Sequence, residues 1–197
     1  MKKFNFPVLP LETPQIRSPW RRIFGISYLS ILGWRIEGNL PNLPKFVLVV
    51  APHTSNWDFV IGMLVYFALQ LQTVWFVKHT ALKGPWARLA RYFGAIAIDR
   101  NRAVDVVKHY VEEINRREKM VITITPEGTR KKAQVWKRGF YRIACDANIP
   151  IVTIALDFST RRVVLGLPFT PSGDYERDLP AIKGNFNSAM ARHPEQF

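Results

Sequence analysis

The chain has 197 residues, 48% of them hydrophobic and 22% charged. That is enough for one domain with a sizeable core, and too apolar for a disordered segment. Its formal net charge is +13, carried as scattered pairs such as Arg21-Arg22, Lys131-Lys132, Lys137-Arg138 and Arg161-Arg162. Such an excess implies an anionic partner: nucleic acid, anionic lipid or a phosphorylated substrate. One cysteine, Cys145, excludes a disulfide framework within the chain, and without a cysteine–histidine cluster no metal site is expected.

The N-terminus, Met1-Lys2-Lys3, runs into prolines at positions 7, 10 and 14. They break any apolar run, so no signal peptide is expected. Apolar groups at Trp20, Ile23, Phe24, Ile31 and Trp34 suit a helix over 20–34 with a broad apolar face, ringed by Arg17, Arg21, Arg22 and Arg35. Two uses of it stay open. It can lie in a membrane interface with Trp20, Phe24 and Trp34 inserted and its arginines at headgroups, or it can pack on the rest of the domain.

Phe46-Val47-Leu48-Val49-Val50 reads as a strand covered on both faces. After Pro52 and His53 a helix starts near Trp57. The apolar stretch 59–77 is nearly long enough to cross a bilayer. Gln70 and Gln72 interrupt it, and 73–77 has strand composition, so it reads as a buried helix followed by a buried strand. Pro85 opens a short helix to Tyr92, and 95–98 is a short strand. Val104, Val107, Val111 and Ile114 form one face of a helix over 102–117. A strand over 120–125 stops at Pro126, a helix covers 136–147, strands cover 149–156 and 162–167, and a helix begins near 178. Alternating strands and helices imply an α/β fold, with a mostly parallel mixed sheet flanked by helices in a single domain over 1–197.

In such folds sites collect beyond the carboxyl ends of strands. One loop there is Pro52-His53-Thr54-Ser55-Asn56-Trp57-Asp58. On one regular helix His53 and Asp58 would point about 140° apart. They can meet if His53 lies in the loop and Asp58 in the first helical turn. Asp58 would then fix the imidazole tautomer and leave the other nitrogen as a base. The competing reading is a capped helix, with Asp58 at its positive end and His53 incidental. The second loop is Thr125-Pro126-Glu127-Gly128-Thr129-Arg130. Gly128 allows close backbone approach to a ligand, and Arg130 can fork onto a phosphate. The competing reading is a solvated turn with Glu127 and Arg130 paired at the surface.

Together these segments resemble the glycerolipid (lysophosphatidate-type) acyltransferase superfamily. The histidine–four residues–aspartate motif is met by His53 and Asp58. The second motif is met by Lys78, Pro85, Gly94, Ile98, Asp99 and Arg100. The proline-glutamate-glycine-threonine-arginine motif is met by Pro126 to Arg130, followed by Trp136, Lys137 and Gly139. The apolar strand with a proline is met by Ile149-Pro150-Ile151-Val152. The resemblance covers about 45–157. It departs at Ala81-Leu82, where a glutamate-leucine pair is usual, and at Thr125, where phenylalanine is usual.

The resemblance implies a glycerol-3-phosphate acyltransferase-like domain at the cytoplasmic membrane face, with residues 1–35 as an amphipathic arm. His53 would be general base and Asp58 its orienter. Glu127, Gly128, Thr129, Arg130, Arg100, Lys78 and Lys137 would bind substrate. It implies no cofactor beyond acyl-CoA or acyl-carrier protein as co-substrate, a lysophospholipid-type acceptor, and an anionic membrane surface as partner. Backbone N–H groups at the start of the helix after Asn56 are the candidate oxyanion donors. Two other classes remain. Ser55 beside a histidine and an aspartate suggests a serine-type lipid esterase or thioesterase, though the glycine-x-serine-x-glycine elbow is absent. The positive charge also fits a basic nucleic-acid-binding module, though the aromatics sit in apolar runs and no such motif is visible.

Overall fold

The computed structural model describes residues 6–78, 82, 84–98 and 103–197. Helix α1 (Pro19–Ile31) leads to β1 (Arg35–Glu37), β2 (Lys45–Ala51), α2 (Asn56–Leu69), β3 (Val74–Lys78) and α3 (Pro85–Tyr92). Then come β4 (Ala95–Ile98), α4 (Ala103–Arg116), β5 (Met120–Ile124), α5 (Gly139–Asp146), β6 (Ile151–Asp157), β7 (Arg162–Leu165) and α6 (Tyr175–Lys183). Two 3-10 turns, Ser188–Met190 and Pro194–Gln196, end the chain.

The strands form one seven-stranded sheet in the order β1-β7-β6-β2-β5-β3-β4. The five from β6 to β4 are parallel, β7 runs against β6, and β1 is parallel to β7. Strand β2 shows why its residues are apolar without alternation. Phe46, Leu48 and Val50 face a core shared with Leu29 of α1 and Ile61, Leu64 and Val65 of α2. Val47, Val49 and Ala51 face a second core with Val107 and Ile114 of α4, Phe140 and Ile143 of α5 and Ile182 of α6. Burying each large side chain on either face is worth roughly 1.5–3 kcal/mol, so a central strand sealed on both sides has no room for a polar face.

Helices α1 and α2 approach very closely at Gly25. A Cβ there would lie 2.5 Å from the Ala68 nitrogen and 2.6 Å from the Leu64 carbonyl oxygen. Arg22 strengthens the contact by donating to the Ala68 carbonyl at 2.6 Å. This packing corrects two expectations about the N-terminal arm. The helix stops at Ile31, and Trp34 turns into the core, edge-on to Phe158 with ring centroids 4.9 Å apart. Arg21 and Arg22 also point inward rather than fringing the apolar face. What remains outward on α1 is Trp20, Ile23, Phe24, Tyr28 and Ile31. The stretch 59–77 resolves into most of α2 and β3, as expected, except that Phe59 and Val60 are exposed. No described helix is long and apolar enough to cross a membrane.

Candidate active site

Strands β2 and β5 are neighbours in parallel register, with Val49 opposite Ile124. The loops that follow them therefore leave the sheet side by side. The first carries His53 and Asp58, the second Glu127 to Arg130.

In the first loop, Asp58 is buried and its Oδ2 gathers three donors. The amides of Thr54 and Ser55 each donate to it at 2.7 Å, and Nδ1 of His53 lies 3.2 Å away. Ser55 accepts the amide of Trp57 at 3.2 Å, completing a capping box on α2. The functional and capping readings of this loop are thus one structure. The same carboxylate that closes the helix start also holds the imidazole, because histidine sits outside the helix and aspartate inside its first turn. Asp58 leaves Nε2 of His53 as the nitrogen available to a ligand, and the side chain is partly exposed. The cap also corrects the oxyanion expectation. The amides of Trp57 and Asp58 both turn back onto Ser55, so they are engaged already. It also occupies Ser55, whose side-chain oxygen is an acceptor within the cap.

In the second loop, Glu127 is buried rather than paired with Arg130 at the surface. Its Oε2 accepts the backbone N–H of His53 at 2.8 Å, tying the loops together. Burial pushes its carboxyl up to about 7; the His53 N–H pulls the other way, and the charge of Asp58 adds to the rise. Among the described residues, Oε1 of Glu127 and Oδ1 of Asp58 have no hydrogen-bond donor. Gly128 has φ +64, and a Cβ there would fall 2.7 Å from Nζ of Lys137. What approaches this glycine is therefore the Lys137 side chain, held by its own amide donating to the Pro126 carbonyl at 2.8 Å. Thr129 accepts the Lys131 amide, and Arg130 is exposed.

His53, Asp58, Gly128, Thr129, Arg130 and Lys137 all line one cavity of about 960 Å³. Its walls are mostly apolar, from Phe59 and Met63 of α2, Trp75 and Val77 of β3, Val107 of α4 and Phe140 of α5. The exposed Arg130, Lys131 and Lys137 add a cationic edge to these apolar walls, a combination suited to an acyl chain that ends in a polar group. Lys78 closes β3. Arg100, Asp99 and Ala81 lie outside the described residues.

The sequence reading missed the C-terminal segment. The amide of His193 donates to the Thr54 hydroxyl at 3.2 Å. With its amide nitrogen turned toward them, Gln196 donates to the carbonyls of Arg130 at 2.5 Å and Thr54 at 3.1 Å. The Arg192 guanidinium lies 5.7 Å from the Trp57 ring centroid. The C-terminal segment thus clamps both loops, the first from about 140 positions away and the second from 66, and no local pattern near 193–196 marks it.

The acyltransferase family pattern matches residues 35–157, which hold both loops and the strands that aim them. This chain belongs to the acyltransferase family. No curated protein sequence gives a match. Among solved structures, that of PlsC, the 1-acyl-sn-glycerophosphate (LPA) acyltransferase of Thermotoga maritima, is similar with a TM-score of 0.60 at 18% identity. The similarity covers 84% of this chain and 76% of that one. At this identity the likeness is one of fold. The sheet and flanking helices described above are thus an acyltransferase fold.

Proposed function

We propose that this acyltransferase moves a fatty acyl group from acyl-CoA or acyl-carrier protein to the hydroxyl of a lysophospholipid such as 1-acylglycerol-3-phosphate. The observation that carries the reading is the His53–Asp58 pair in a cavity whose walls are mostly apolar and whose edge is cationic. Nε2 of His53 takes the proton of the acceptor hydroxyl as its oxygen attacks the thioester carbonyl. The C–S bond then breaks, and the thiolate leaves with a proton returned by the imidazolium. Asp58 fixes the tautomer and stabilises the imidazolium. Arg130 and Lys137 place the acceptor phosphate, and the apolar walls take the acyl chain.

Thiol release from palmitoyl-CoA, measured with and without lysophosphatidate, tests this. Release that depends on the acceptor is the expected result. Equal release without acceptor would identify a thioesterase instead.

The same proposal includes a peripheral site of action at the membrane. Trp20, Ile23, Phe24, Tyr28 and Ile31 of α1 are exposed on the outer side, with Phe59 and Val60 of α2 also exposed. Exposed apolar patches of this kind mark lipid or protein contacts. Deleting the arm would be a poor test, since Phe6, Leu9 and Leu29 belong to the core. The double substitution Trp20→Ser and Phe24→Ser touches only exposed side chains. It is expected to lower flotation with phosphatidylcholine vesicles at least tenfold while leaving the circular dichroism spectrum unchanged. Undiminished flotation would remove α1 from the interface.

A further inference from the structure

Arg21 is the third residue of α1, 7% exposed, and has no acidic partner among the described residues. Its guanidinium is framed by four rings. The centroids of Trp20, Phe67, Tyr92 and Phe93 lie 5.5, 5.7, 4.8 and 5.7 Å from Cζ. Ring faces attract a cation but leave its charge in place. A buried charge without a counter-ion is costly, so such a group ordinarily has an anion beside it.

Two further observations add positive charge at the same place. Helix α1 begins without a side-chain cap and without an acid in its first turn, so the positive end of its dipole is also uncompensated. Beside Arg21 lies a cavity of about 300 Å³ whose charged lining residues, among the described residues, are Arg21, Arg91 and Arg117, with no acid. Arg91 stands in the last turn of α3, exposed and without a partner among the described residues. Arg117 shares the single carboxylate of Glu113 with Arg116, so that trio is also net positive.

The surroundings decide which anion fits. Exposed Tyr92 lines the cavity, and exposed Trp20 and Phe24 pack against Phe67 of its wall. A free anion has no use for such a fringe, whereas a phospholipid presents its phosphate and its acyl chains together. We propose that this notch between α1, the end of α2 and α3 binds the headgroup phosphate of an anionic phospholipid. The guanidinium groups of Arg21 and Arg91 would hold the phosphate oxygens, with the acyl chains against Trp20 and Tyr92. Arg117 supplies field rather than a fork, since Glu113 holds it. Tyr66 and Met63 line both this notch and the cavity beside His53. The proposal rests on the membrane-facing reading of α1 and deepens it.

The test uses a short-chain phosphatidylglycerol kept below its micelle concentration, titrated calorimetrically in 0.5 M salt, so that neither a bilayer nor diffuse charge is needed. The full chain is compared with Arg91→Ala, Arg21→Met and Arg142→Ala. Arg142 is exposed on α5, so its loss matches the charge change away from the notch. Each is also made with Arg130→Ala, which weakens any binding in the catalytic cleft. Saturable binding that survives Arg130→Ala and Arg142→Ala but weakens at least tenfold in Arg91→Ala and Arg21→Met is the expected result. Because Arg91 is exposed, its variant keeps the test valid if Arg21→Met fails to fold. Equal affinity in Arg91→Ala and Arg142→Ala, or no saturable binding, overturns the site. Inorganic phosphate binding as tightly as the lipid would overturn the assignment to lipid. Failure of the membrane-facing reading shows separately, as loss of phosphatidylcholine flotation by the native chain while this soluble titration persists.

Discussion

Replacing His53 with alanine is expected to lower acceptor-dependent kcat/KM by ~10² to 10⁴, the range for a positioned general base, or about 3–5 kcal/mol of transition-state stabilisation. The fold should be unaffected, for a structural reason. The bonds that organise this loop come from backbone. The His53 amide donates to Glu127, and the Thr54 and Ser55 amides donate to Asp58. Alanine keeps all three and deletes only the imidazole. Asp58 cannot be used in the same way, since its loss would open the start of α2 as well as release the histidine. His53→Gln sharpens the experiment, because its amide can still donate a hydrogen bond but cannot take a proton. Both variants should therefore fall together while their thermal midpoints match that of the native chain. Retention of more than a tenth of native turnover in either one would sink the general-base role of His53.

Much of the architecture was legible because it is local. The two-sided run at Phe46 to Val50 and the 3–4 spacing of Val107, Val111 and Ile114 each report burial by the nearest elements. The turn of β7 against β6 was legible in principle. Only Phe158 to Arg161 separate the two strands, and a parallel return needs a crossover of a dozen residues or more. Asp157 closes that turn by accepting from Ser159 and the Thr160 amide. Strand β1, three residues long, has no period to read.

The helix at 139–146 starts later than expected, after Trp136 and Lys137, because Lys137 donates its amide to the preceding loop rather than to a helical turn. Trp34 followed apolar spacing outward on paper and turned inward in fact. The helix ends at Ile31, so spacing beyond it carries no phase. At the candidate site, side-chain types located both loops. Spacing alone did not reveal that capping and imidazole orientation use one carboxylate oxygen, nor that Glu127 is an internal tie. The clamp by His193 and Gln196 depends on chain return from the far end, which no window of sequence contains.

The second large effect concerns Glu127. Burial raises its carboxyl to about 7, whereas an unfolded chain releases that proton near 4.5. Between these pH values the folded chain holds a proton that the unfolded chain has lost. The contribution of Glu127 to stability is therefore greatest below about 4.5 and falls as pH rises to 7. The linked loss is about 3 kcal/mol for a shift of this size. Glu127→Gln removes the titration but keeps an oxygen that can accept the His53 amide. Urea unfolding of both proteins at pH 5 and pH 8 isolates the contribution, because the other carboxylates and histidines are common to both. The native chain is expected to lose about 2.5 kcal/mol more than the variant over that interval, since part of the effect is already spent at pH 5. Parallel pH dependences would mean that Glu127 is ionised as readily folded as unfolded. A sloping native curve beside a flatter variant would mean that the fold tolerates a destabilising carboxylate where the loops after β2 and β5 meet. Such a tolerated cost is typical of a working site rather than of packing. It would place the charge of Glu127, one hydrogen bond from the backbone of His53, in transition at neutral pH.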